Sequence, residues 1–164
     1  MNLATAGILA MTLSFAACIA AATWHVAPWL SRQSRAGALI PLLWVHAFRH
    51  VALQILSAQK SGFRVSDALR DDILYGDLAG MVLALLAIFA IRSRRGSATP
   101  LVWVFVAATA VDLVNGSIGG MREGALGQAS GVTWLILTFY VPILYTSLGL
   151  IVWQLLCRRR ESLV

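Results

Sequence analysis

Five apolar stretches, each about as long as a bilayer's hydrocarbon core is thick, constrain this chain more than any other feature. A helix needs about 20 predominantly apolar residues to cross that core. Residues 3–24, 37–57, 75–91, 100–118 and 132–156 meet the requirement. Water is absent there, so the backbone must satisfy its own hydrogen bonds, which a helix does within one segment. Composition agrees: 59% of residues are hydrophobic and 12% charged, against about 45–50% and about 25% in soluble domains. A soluble globule and a disordered chain are both excluded. The net charge of +6 is spread over short connections, so no nucleic-acid partner is expected. The expectation is an all-α, polytopic membrane protein: one monomeric five-helix transmembrane domain over residues 1–164, in contact with the lipid of a bacterial inner membrane.

Basic residues give the orientation, because cytoplasmic connections carry an excess of Lys and Arg. With the N-terminus outside, eight fall inside: Arg32, Arg35, Arg92, Arg94, Arg95, Arg158, Arg159 and Arg160. Lys60, Arg64, Arg70 and Arg122 fall outside, matched by Asp67, Asp71, Asp72 and Glu123. The odd number of spans then makes the C-terminus cytoplasmic. Residues 1–22 lack the positive flank of a signal peptide, since no Lys or Arg precedes Arg32. Cys18 and Cys157 occupy different settings and read as free thiols.

The connections and packing faces carry further signals. Val65, Leu69 and Ile73 recur every four residues, so 58–74 reads as an outer segment holding a short interfacial helix. Residues 116–131 contain six glycines and read as a loop. Gly76, Gly80 and Ala84 form a smooth stripe on which a helix can lie closely, whether one of the bundle's own or a membrane-protein partner's. Trp24, Trp29, Trp103, Trp134 and Trp153 fall toward span ends, as interface anchors do. Pro142 should kink the fifth span beside Thr138 and Tyr145.

Ionisable residues inside the spans are the informative ones, because each costs at least about 2.5–3.5 kcal/mol at the bilayer centre. The second span holds His46, Arg49 and His50, the third opens with Asp77, and the fourth carries Asp112 and Asn115. At i, i+3, i+4 spacing His46, Arg49, His50 and Gln54 share a face, as do Thr109, Asp112 and Asn115. A rise of about 1.5 Å per residue places Arg49 and Asp112 level, each about 18 Å from the inner end of its span. His46, Arg49, His50, Asp77, Asp112 and Asn115 are therefore the candidate ligand- or proton-binding residues, pairing Arg49 with Asp112. Gln54, Thr109, Thr138 and Tyr145 are the secondary lining.

Several chemistries fail on these residues. Arg49 on the histidine face opposes a divalent cation. His25 and His46 lie at different depths, unsuited to the two sides of a haem. Lys60, the only lysine, sits outside the spans, where no retinal Schiff base could form. No G-x-S-x-G nucleophile elbow is present. No cofactor is expected, and enzymatic activity is left open as acid–base chemistry on a lipophilic substrate.

Five spans, a high tryptophan content and WHVAPWL at 24–30 resemble the tryptophan-rich sensory, or translocator, family, a likeness of architecture that implies binding of porphyrins or sterols. WVHAFRH, YGDL and DLVNG resemble segments of uncharacterised small bacterial inner-membrane proteins, which implies no activity. The functional expectation is binding or translocation of a small solute or protons through an outward-facing pocket, with Arg49 as its electrostatic anchor. The alternatives are an accessory subunit or assembly factor of a membrane complex, and a membrane enzyme or binder acting on a lipophilic substrate or lipid.

Overall fold

A computed structural model describes residues 1–159 and Glu161; Arg160 lies outside the described residues. Among the described residues the chain is all-helical, with five helices long and apolar enough to cross a membrane: α1 Leu3–Ser31, α2 Arg35–Lys60, α3 Asp67–Arg92, α4 Ala98–Arg122 and α5 Gly131–Cys157. Side chains start three of them. Asn2 accepts from Thr5 N–H at 2.8 Å, Ser34 from Gly37 N–H at 3.1 Å and Ser66 from Leu69 N–H at 3.1 Å, each satisfying a donor that has no partner in the first turn.

Three helices change winding part-way. α1 contains a π-turn at Ala22–Val26 and α5 another at Ile136–Tyr140, each ending two residues before a proline, Pro28 and Pro142. Proline has no N–H for the i→i−4 ladder. The residue before it bonds one position further back instead, Ala27 N–H to Ala22 O and Val141 N–H to Ile136 O. The distortion expected at Pro142 takes this form. In α2 the seven residues Phe48–Gln54 wind as a 3₁₀ helix.

Two expected boundaries are corrected. The segment 58–74 holds no separate interfacial helix: α2 runs to Lys60, the chain reverses at 61–66, and α3 begins at Asp67. The Val65, Leu69 and Ile73 repeat faces the bundle rather than a membrane surface. The glycine-rich loop is shorter than its composition implied, because α4 continues to Arg122 through Gly116, Gly119 and Gly120. At Gly119 a Cβ would overlap the Leu69 side chain, so close packing of α3 on α4 uses that glycine and overrides its low helix propensity.

The bundle is solid at one end and hollow at the other. Leu39, Leu43, Ala84, Ala87, Val102, Phe105, Ile151 and Leu155 form a continuous core toward the end that carries Arg32, Arg35, Arg92 and Arg158. Arg35 donates to Glu161 O and Leu155 O, and Arg158 to the Glu161 carboxylate and Gln33 O, which closes that end. α1 is the least buried helix and packs on α5 and on the turn Ala125–Gly127. Phe15 meets Tyr145 with ring centroids 5.8 Å apart.

Candidate functional site

Where the solid half gives way to the hollow half, three helices meet through charge. Arg49, on the 3₁₀ stretch of α2, has a side chain with no exposure and donates in three directions. Its Nε donates to Asp77 Oδ1 of α3 at 2.6 Å, one terminal nitrogen to Thr109 Oγ1 of α4 at 3.3 Å, and the other to Asp112 Oδ2 of α4. The two carboxylates retain 17% and 18% side-chain exposure, so one fully buried cation lies between two partly open anions. The paired burial offsets the cost of a charge away from water. The level placement of Arg49 and Asp112 expected from helix rise is what permits their contact.

Small residues make the approach possible. A Cβ at Gly80 would overlap the Arg49 guanidinium, and one at Gly76 the Asp112 carboxylate. Gly76, Gly80 and Ala84 thus pack within the bundle, with Gly80 buried and Ala84 fully buried.

Above the cluster lies a cavity of about 700 Å³ with walls from all five helices. Ile8, Met11 and Phe15 of α1, Ile55 of α2, Ile73 of α3 and Leu137 of α5 represent its apolar lining. Gln54, Thr133, Tyr140, Tyr145 and Ser117 add neutral polar groups, while Arg49, Asp77 and Asp112 form the charged floor. Such a volume is in the range of small-molecule sites, which are apolar with few polar groups. Asp112 also lines a second, shallower cleft between α3 and α4, beside Asp71, Asp72, Tyr75 and Asn115.

The remaining candidates separate. His50 is exposed and away from the cavity: 3₁₀ winding has three residues per turn, so the i, i+4 relation that aligned it with His46 is lost across Phe48–Gln54. Asn115 is exposed in the second cleft and does not join the cavity. His46 is fully buried below the floor, with Nε2 2.9 Å from Ser147 Oγ and its ring edge-on to Phe105 at 5.0 Å. Thr138 is buried and donates back to Trp134 O at 2.8 Å, away from the cavity lining. Gln54, Thr109 and Tyr145 lie with the cluster or cavity as expected: Thr133 Oγ1 donates to Gln54 Oε1 at 3.2 Å, and Tyr145 donates to Leu113 O at 2.8 Å.

Residues missed from the sequence lie on α5. Thr133, Tyr140, Ser147 and Gln154 recur every seven residues, and the first three bond to Gln54, Val45 O and His46 of α2. That heptad of polar residues in an apolar span was the available signal.

A family model described as a domain of unknown function (DUF8737) matches residues 7–156. The chain belongs to the DUF8737 family. No curated protein and no solved structure matches it. The DUF8737 match includes Arg49, Asp77 and Asp112 and most of every helix that walls the cavity.

Proposed function

We propose that this protein binds a small lipophilic molecule with a polar end, lodged in the cavity with that end at the Arg49, Asp77 and Asp112 floor. The observation that carries the reading is the apolar cavity of about 700 Å³ set directly over a buried ion cluster. Apolar walls favour a lipophilic body, and convergent polar groups at one end fix its orientation. Binding is favoured over translocation because the opposite half of the bundle is filled by close-packed side chains and offers no matching path. The accessory-subunit alternative loses the Gly76, Gly80 and Ala84 stripe as its contact surface, since Arg49 and Asp112 occupy it.

In the bacterial inner membrane proposed as its setting, the basic asymmetry supports an orientation with the hollow half and N-terminus extracytoplasmic and the C-terminus cytoplasmic. The test is purification into lipid nanodiscs followed by native mass analysis and organic extraction. A near-stoichiometric small molecule in the unmodified protein, absent from Gly120→Phe, is the expected result. Gly120 lines the cavity, and a Cβ there meets nothing nearer than Ala125 Cβ at 3.8 Å, so the added ring fills space. A protein that carries no small molecule and takes up no lipophilic probe would refute the reading.

A further inference from the structure

We infer that the polar end of the cavity's occupant is a cation of the protonated-amine class. The inference rests on the binding reading above and concerns which head group the floor accepts. Arg49, Asp77 and Asp112 are the only charged residues lining the cavity among the described residues. Arg49 has no free face: its side chain is unexposed, and all three guanidinium nitrogens donate to protein oxygens. In this reading Arg49 is a positioning residue that holds the two carboxylates and does not itself meet the occupant.

The carboxylates are differently placed. Each gives one oxygen to Arg49, Asp77 through Oδ1 and Asp112 through Oδ2. Among the described residues, Asp77 Oδ2 and Asp112 Oδ1 accept no hydrogen bond; Asp112 Oδ1 lies against Gly76 of α3, and both aspartates line the cavity with part of their side chains exposed. With both aspartates ionised the floor sums to one negative charge, presented as acceptors. The neutral groups leave that sign unchanged: Tyr140 and Tyr145 spend their hydroxyl protons on Val45 O and Leu113 O, and Thr133 donates to Gln54. An incoming carboxylate or phosphate would meet like charge without a charged donor. An ammonium would bring N–H donors to the unbonded oxygen of Asp77 and to the flank of the Asp112 carboxylate inside an apolar enclosure, where electrostatic attraction is less screened than in water. Apolar walls and a net negative floor together select a lipophilic cation.

The experiment compares dodecylamine, dodecanol and dodecanoate near neutral pH by equilibrium dialysis, with the intact protein in phosphatidylcholine nanodiscs and empty discs as reference. The amine is expected to bind at least tenfold tighter than the alcohol, and dodecanoate no tighter than the alcohol. Asp77→Asn and Asp112→Asn each leave Arg49 one carboxylate partner, and each should shrink the amine's advantage severalfold while sparing the alcohol. Dodecanoate binding as tightly as the amine would overturn the charge assignment and leave the cavity reading standing. Full retention of amine preference in both variants would overturn it equally. Binding of none of the three above the empty discs would defeat the cavity reading as well. The ranking on the unmodified protein decides the matter even where a variant fails to fold.

Discussion

At the scale of single residues, Arg49 holds two aspartates that would otherwise repel one another in a low-dielectric setting. Arg49→Leu should therefore destabilise the fold by about 3–5 kcal/mol, as when one member of a buried ion pair is removed. The triple change Arg49→Leu, Asp77→Asn, Asp112→Asn should recover part of that loss. Denaturation in detergent read through both combinations measures the coupling; additive losses would contradict a shared cluster. Glycine contacts give a second expectation. Gly80→Ala drives a methyl into the guanidinium and should cost about 1–3 kcal/mol, whereas Gly149→Ala, inside α5 with nothing within 4 Å, should be neutral or stabilise by up to about 1 kcal/mol through helix propensity. Equal unfolding midpoints for the two variants would contradict the packing of α3 on Arg49.

Elements show why the sequence revealed some of this site and hid the rest. Asp112 was legible because it is reached along regular helix and Arg49 stands only two residues past the α-helical turn that ends at Ala47, so a uniform rise places the two at similar depth. His50 was not, because the 3₁₀ stretch Phe48–Gln54 rotates everything beyond Ala47 relative to an α-helical count. The α3 and α4 ends were misplaced for a different reason. Hydropathy marks where polar residues begin, yet Asp67, Asp71 and Asp72 are helical, and glycines at 116, 119 and 120 serve helix packing instead of a loop.

The hollow end has its own fastening. Glu123, at the C-terminal cap of α4, accepts from Ser66 N–H at 2.7 Å and Ser66 Oγ at 2.5 Å, while Ser66 Oγ also caps α3. The Ser66 side-chain and backbone hydrogen bonds hold the Glu123 carboxyl below the usual glutamate range. A lowered value means the link contributes fully above the ordinary glutamate pKa and is lost as pH falls through the depressed one. Acidification should thus loosen 61–66 from the α4 end. Labelling of Arg64→Cys, taken relative to the same cysteine in Glu123→Gln at each pH, should be slower at neutral pH and converge in acid. A ratio constant with pH would refute the coupling.

For the whole molecule, five helices and the asymmetric charge predict sidedness. In a protein freed of Cys18 and Cys157, a cysteine at Ser93 should label only from the cytoplasmic side and one at Ser130 only from the opposite side. The reverse pattern would invert the proposed orientation. The number of long apolar helices and the all-helical class were readable from hydropathy alone, since a bilayer fixes the length of what can cross it. A pocket on that side was expected from the polar stripe, but its apolar walls and volume were not, because an empty volume has no residue of its own and α1, packed on α5 and the Ala125–Gly127 turn, supplies one wall.

The three-way bonding of Arg49 also divides the molecule mechanically. It rivets α2, α3 and α4 together at one depth, so relative sliding of those three would break charged hydrogen bonds at once. α1 shares none of these bonds and is held chiefly by dispersion contacts with α5 and the Ala125–Gly127 turn. The compliant coordinate is therefore the swing of a single outer helix against a stiff trio, which under the proposed binding would admit the occupant sideways from the lipid, unlike the rocking of two matched halves by which carriers alternate their access.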